Sequence, residues 1–225
     1  MFKGLEFVQL HGKFSLYLTF IFISIPKRYF NTEDGIMGTE IQILNAIQSI
    51  RCPFLDVLMP LISNCIVLWV LLTAVMIMRK NTRKAGWIII LSIALDLILC
   101  NLVLKNAFHR VRPFDVNTAV TLLVKKPVDF SFPSGHTAFS FATVTGLWLS
   151  GALKKLRIPA LILACLIAFS RLYLYVHYPT DVLAGIAVGV FCGWAAYKLF
   201  QTISEKRGSQ AGEIHDQEEC KTVLR

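Results

Sequence analysis

Charge is what this chain has least of. Only 16% of its residues are charged, against roughly 25% in an ordinary soluble domain. Hydrophobic residues make up 55%, and the mean hydropathy is +0.59. That balance excludes a soluble globular domain and marks an integral membrane protein. The six cysteines (Cys52, Cys65, Cys100, Cys165, Cys192, Cys220) stand singly, four of them inside apolar runs. With no CxxC pair and no metal-ligand spacing, they read as small hydrophobes of the membrane core. Asn-x-Ser/Thr sequons are absent, so nothing marks a glycosylated secretory-pathway protein, and the chain is read as a bacterial cell-membrane protein. The net charge of +9 does not indicate nucleic acid, because the basic residues gather in short clusters between apolar runs, as in cytoplasmic loops.

Long apolar runs are what the chain has instead. Five of them, 55–78, 85–104, 136–153, 158–176 and 181–200, approach the ~20 helical residues needed to cross a hydrocarbon core. They predict an all-α, polytopic membrane bundle of five long spans, with 54–200 as one catalytic domain. A sixth segment, 14–25, is strongly apolar but only twelve residues long. Lacking a small-residue cleavage pattern, it reads as a retained anchor or an interfacial segment within 1–36, and a sixth crossing stays open. Residues 37–53 predict an amphipathic interfacial helix, with Thr39 and Gln42 as a capping box and Ile43, Ile47 and Ile50 at helical spacing. The tail 201–225 reads as a solvated, disordered cytoplasmic appendage.

Orientation follows from loop charge. Arg79, Lys80, Arg83 and Lys84 lie between the first two spans, and Lys154, Lys155 and Arg157 between the third and fourth. By the positive-inside rule both connections are cytoplasmic. Alternating crossings then place the end of the second span, the start of the third, the end of the fourth and the start of the fifth on the extracytoplasmic face.

Three polar clusters occupy those four ends: 105–113 (KNAFHRVRP), 133–136 (PSGH) and 170–181 (SRLYLYVHYPTD). Lys105 and Arg112 are seven residues apart, so a helix continuing through Arg110 would put both cations on one face, with His109 and Arg110 pointing elsewhere. Lys105 alone would read as a snorkelling lysine. Ser134 and Gly135 stand at a helix start, where a hydroxyl and free amides can face an anion. His136 directly behind them has an imidazole suited to protonating a leaving oxygen. Arg171 near the end of the fourth span should face a polar interior, since an unpaired guanidinium is costly in lipid. His177 is followed four residues later by Asp181, a carboxylate able to fix the imidazole's tautomer and stabilise the cation it becomes. Asp181 also heads a stripe of Gly185, Gly189 and Gly193 that permits close helix packing. Asn64, Asp96, Asn101, His11, His109 and His215 have no partner defined by the sequence and are left outside the site.

With its three clusters, the chain resembles the type 2 phosphatidic acid phosphatase superfamily, whose signature K-x6-RP, PSGH and SR-x5-H-x3-D is present without a substitution. The resemblance covers about residues 54–200. It implies that His177 is the nucleophile forming a phosphohistidine, with Asp181 as its orienting partner and His136 as general acid. Lys105, Arg112, Ser134, Gly135 and Arg171 would hold the phosphate oxygens. No metal and no other cofactor is implied, and no acidic cluster is present to bind Mg²⁺. The expected substrate is a membrane lipid phosphate or diphosphate: an isoprenoid diphosphate such as undecaprenyl diphosphate, or phosphatidylglycerol phosphate or phosphatidic acid. A lipid phosphotransferase on the same site and a catalytically silent lipid-binding or transport protein are the alternatives. In the loop 114–132, Phe114, Phe130 and Phe132 either steer lipid entry or anchor the loop.

Overall fold

Each apolar run becomes helix, because a backbone in lipid must satisfy its own hydrogen bonds. The computed structural model describes residues 36–223, with side chains over 37–205; the segment 14–25 lies outside the described residues. Among the described residues there is no strand. The helices are α1 (Ile36–Gln48), α2 (Pro53–Asn64), α3 (Ile66–Met78), α4 (Arg83–Asp96), α5 (Lys105–Phe108), α6 (Pro113–Val116), α7 (Gly135–Leu149), α8 (Arg157–Tyr173) and α9 (Pro179–Val223). A π-helical stretch, Leu97–Leu104, joins α4 to α5.

Among the described residues, four stretches are long and apolar enough to cross a membrane: Pro53–Met78, Arg83–Val116, Lys154–Tyr173 and Pro179–Glu205. Their outward faces are apolar, with Val67, Leu71, Leu102, Ile162 and Leu183 among the exposed side chains. Such surface is stable only against lipid. The chain is therefore an integral membrane protein.

The run 136–153 departs from the other four. It forms α7, 15 residues or roughly 22 Å of helix. This helix is the bundle's core, packed against α9 most extensively and also against α4 and α8. Small residues allow that position: Ala138, Ala142 and Gly146 are buried along it, while Ser140 and Thr143 return their hydroxyls to the carbonyls of His136 and Phe139. The glycine stripe of α9 lies directly on α7, where a Cβ at Gly185 would stand 2.7 Å from the Ser134 carbonyl oxygen.

Two expectations change. In α1 the buried face carries Met37, Glu40 and Leu44, while Ile43 is exposed, as is Ile50 in the turn beyond the helix. The helix is thus docked on the bundle through a carboxylate as well as through apolar contacts. Beyond the apolar part of α9, helix continues through the segment expected as a disordered tail, up to Val223. Its many Glu, Lys and Gln residues have high helix propensity.

Candidate active site

The helix that carries Lys105 stops sooner than the seven-residue spacing suggested. At His109 the backbone turns left-handed (φ 48°), ending α5 after Phe108. Residues 110–112 then run without regular secondary structure into α6, Arg112 being extended and Pro113 standing at the helix's first position. Lys105 and Arg112 consequently meet by a fold of the chain, not along one helix face. Arg110, expected to point away, turns inward and is 2% exposed.

Arg110 organises the base of the site. Its Nη1 donates to Asp181 Oδ1 at 2.5 Å and to Thr180 Oγ1 at 2.7 Å, and its Nη2 pairs with the Glu40 carboxylate. Its Cζ lies 4.0 Å from the centroid of the Tyr178 ring. Glu40 Oε1 also accepts from the Thr180 amide (2.9 Å) and hydroxyl (2.6 Å), which ties α1 to the start of α9.

Asp181 is fully buried, and its Oδ2 accepts from Ser131 Oγ (2.5 Å) and the Tyr178 amide (2.9 Å). His177 Nδ1 stands 3.5 Å from the same oxygen, one step beyond a formed hydrogen bond. The other ring nitrogen, Nε2, is 3.4 Å from Arg112 Nη1. Burial, reinforced by Arg112 and Arg171 and opposed by Asp181, holds the imidazole down at about 4. At neutral pH it is therefore uncharged, with Nε2 facing a guanidinium.

Arg112 Nη1 also donates to the Val176 carbonyl at 2.6 Å. On its other side Nη2 donates to Asp129 Oδ1 (2.6 Å) and Nε to the Asp129 carbonyl (2.8 Å). The second oxygen of Asp129 pairs with the Lys105 ammonium. Partial burial works against that carboxylate's charge, but Lys105 and Arg112 outweigh it and hold the carboxyl at about 2.

Gly135 joins the same group, since a Cβ there would lie 3.7 Å from Lys105 Nζ and 3.6 Å from Asn101 Oδ1. Ser134 differs from expectation in one respect: its amide is taken by the Asp181 carbonyl at 3.0 Å, and its hydroxyl shares a 3.0 Å hydrogen bond with Thr137. The hydroxyl thus remains adaptable while the amide locks α7 to α9. Arg171 is 6% exposed, its Nη1 donates to Ser63 Oγ, and its buried Nε has no partner among the described residues. A buried guanidinium with an unspent donor suits an incoming anion.

All three motifs therefore come together at one end of the bundle. The basic turns 79–84 and 154–157 lie at the opposite helix ends. Of the loop phenylalanines, Phe114 and Phe132 are buried and Phe130 remains 37% exposed. Sequence reading missed Glu40, Arg110, Asp129 and Ser131. For Arg110 and Asp129 a signal existed in their placement beside motif residues; Glu40 offered none.

Residues 85–205 match the family model of the PAP2 superfamily. An undecaprenyl-diphosphatase from Sulfolobus acidocaldarius is 30% identical over 189 residues, which cover 83% of this chain and 90% of that protein. A lipid A 4'-phosphatase from Bacteroides thetaiotaomicron is 31% identical over 177 residues, 73% of this chain and 78% of the relative. Among solved structures, a transmembrane PAP2-type phosphatidylglycerolphosphate phosphatase from Bacillus subtilis superposes with a TM-score of 0.63 at 28% identity, covering 85% of this chain and 95% of that one. With its motifs assembled at one end of a helical membrane bundle, and with relatives of this similarity over most of its length, the chain belongs to the PAP2 superfamily.

Proposed function

We propose that this membrane phosphatase removes the terminal phosphate of an isoprenoid diphosphate, of the undecaprenyl diphosphate type, through a phosphohistidine on His177. The observation that carries the reading is the setting of His177: a neutral imidazole whose Nδ1 faces Asp181 and whose Nε2 faces Arg112. Nε2 attacks phosphorus, the bond from phosphorus to the bridging oxygen breaks, and the lipid phosphate leaves with a proton from His136. A water, giving its proton to His136, then cleaves the P–N bond and releases orthophosphate. Lys105, Arg112 and Arg171, with Ser134 and the Gly135 amide, offset the charge that gathers on the phosphoryl oxygens. Positive charge from side chains fills the place a metal would otherwise take.

The same reading includes topology. α7 crosses as a fifth helix, shielded from lipid by its neighbours, and the site opens on the extracytoplasmic face of a bacterial-type cell membrane. Both basic turns then lie on the cytoplasmic side. The undecaprenyl-diphosphatase of Sulfolobus acidocaldarius, similar over nearly its whole length, supports the isoprenoid substrate. Glycerolipid phosphates form a second reading, favoured by the structural similarity to the Bacillus subtilis phosphatidylglycerolphosphate phosphatase.

The test is phosphate release by detergent-purified protein in EDTA, from undecaprenyl diphosphate, phosphatidylglycerol phosphate, phosphatidic acid and a soluble phosphate ester, beside His177→Ala. Metal-independent turnover, fastest on the isoprenoid diphosphate and lost in the variant, is expected, together with an acid-labile phosphoenzyme on rapid quench. Turnover retained by His177→Ala would overturn the mechanism. A glycerolipid ranked first would overturn the substrate.

A further inference from the structure

The cations read as the phosphate cradle already hold an anion. Asp129 presents one carboxylate oxygen to Arg112 Nη2 and the other to the Lys105 ammonium. This is the two-point contact that two oxygens of a phosphate would make. Arg112 has little left to offer while Asp129 stays: Nε and Nη2 donate to residues 129 and 130, and Nη1 to the Val176 carbonyl.

The geometry is that of a cover. The Asp129 side chain is 49% exposed, while Lys105 and Arg112 beneath it are 9% and 4% exposed. The Asp129 carbonyl accepts from Arg112 Nε, and two residues on the Ser131 amide donates to the Arg110 carbonyl at 2.9 Å. Beside it opens a cleft of about 430 Å³ whose walls include Val111, Arg112, Lys126, Val128 and Phe130. Asp129 and Arg112 both line this cleft, so an anion that entered by it would meet the carboxylate beside the guanidinium.

Displacing it has a charge threshold. A phosphodiester headgroup carries one negative charge, no more than the carboxylate it would replace, and it competes with a ligand tethered at high effective concentration. A terminal phosphate carries about −1.5 to −2 at neutral pH and gains more from two cations than the carboxylate loses. Phosphodiester lipids vastly outnumber any terminal phosphate around a membrane site, so the threshold matters.

We propose that Asp129 is a specificity-determining residue, an internal anion bridging Lys105 and Arg112 that keeps phosphodiester lipids out of the cradle and yields to terminal phosphates. This rests on the reading of the cradle given under Proposed function.

The experiment compares wild type with Asp129→Asn, Asp129→Ser and the charge-keeping Asp129→Glu, in mixed micelles with a lipid terminal phosphate as substrate. Inhibition constants are measured for phosphatidylglycerol and for orthophosphate. Loss of the carboxylate should tighten inhibition by phosphatidylglycerol about tenfold in both neutral variants, the scale of one charged contact, and tighten orthophosphate as well, with Asp129→Glu near wild type. Unchanged or weaker phosphatidylglycerol inhibition in the neutral variants would overturn the proposal, because Asp129 would then only brace Lys105 and Arg112. Failure of the underlying site reading looks different: Lys105→Gln would leave the orthophosphate inhibition constant of the wild type unaltered.

Discussion

Arg110 and Asp181 meet at 2.5 Å with side chains 2% and 0% exposed, and the same guanidinium holds Glu40. One cation thus pairs with two buried carboxylates, one of which faces His177. Truncation to alanine would strand both charges, at a cost of about 3–5 kcal/mol. Arg110→Ala should therefore unfold at a much lower Tm. Arg110→Lys keeps the charge but loses the fork that bonds Asp181, Thr180 and Glu40 together. Because Arg110 acts through Asp181, the lysine variant should lower kcat by roughly 10-fold or more with KM nearly constant, the signature of an interaction made in the transition state. A rise in KM at unchanged kcat would place Arg110 in substrate binding instead.

Glu40 makes a further prediction, from outside the family-matched region 85–205. It is 3% exposed and accepts from Thr180 as well as pairing with Arg110. Glu40→Gln retains size and one acceptor, yet takes one of two carboxylates away from Arg110 among the described residues. Asp181 would draw the guanidinium more fully, and α1 would lose its charged anchor. Amide hydrogen exchange over 36–48 should accelerate in Glu40→Gln, and kcat should fall less than in Arg110→Lys. Unaltered exchange would mean that the apolar contacts of Met37 and Leu44 suffice to dock the helix.

A pH prediction follows from His177. Its imidazole is held at about 4 in the folded protein, below the roughly 6.5 of an unfolded chain. Between those values the unfolded chain binds a proton that the folded one refuses, so stability present above about pH 6.5 is lost as pH falls toward about 4. His177→Gln removes this share alone. The Tm of wild type minus that of the variant should decline as pH is lowered from 7 to 4. A difference independent of pH would contradict the depressed imidazole.

The helices were legible because long apolar runs in lipid have one structural solution, and the polar clusters at their ends assigned the motifs to one face. The glycine stripe was legible for the same reason: a four-residue period on a helix defines a line of contact. Loops were not. The left-handed turn at His109 breaks the helical phase on which the placement of Arg110 depended, and no periodicity reports such a turn. Asp129 lies in a loop with no periodicity, and only the folding of that loop brings it over Lys105 and Arg112. Glu40 lay in a helix whose isoleucines suggested a different buried face.

The last prediction separates packing from local strain at two glycines. At Gly189 on α9, an added Cβ would strike the Ala138 carbonyl oxygen and lie 2.9 Å from both the Ala142 amide nitrogen and Phe141 Cβ. Two of those atoms are α7 backbone, which cannot rotate away. Gly189→Ala should therefore push α7 and α9 apart at about 1–3 kcal/mol, against a helix-propensity gain of about 1 kcal/mol. His136 begins one of these helices and Asp181 the other, about 12 Å along α9 from Gly189, so kcat should fall together with Tm. Gly151 provides the contrast. Among the described residues nothing lies within 4 Å of its added Cβ, but its φ is +77° and the turn stands at the end of the bundle away from the motifs. Gly151→Ala should lower Tm through backbone strain of about 1 kcal/mol and leave kcat as it was. Equal loss of kcat in both variants would mean that general destabilisation, not the α7–α9 contact, governs the geometry of the site.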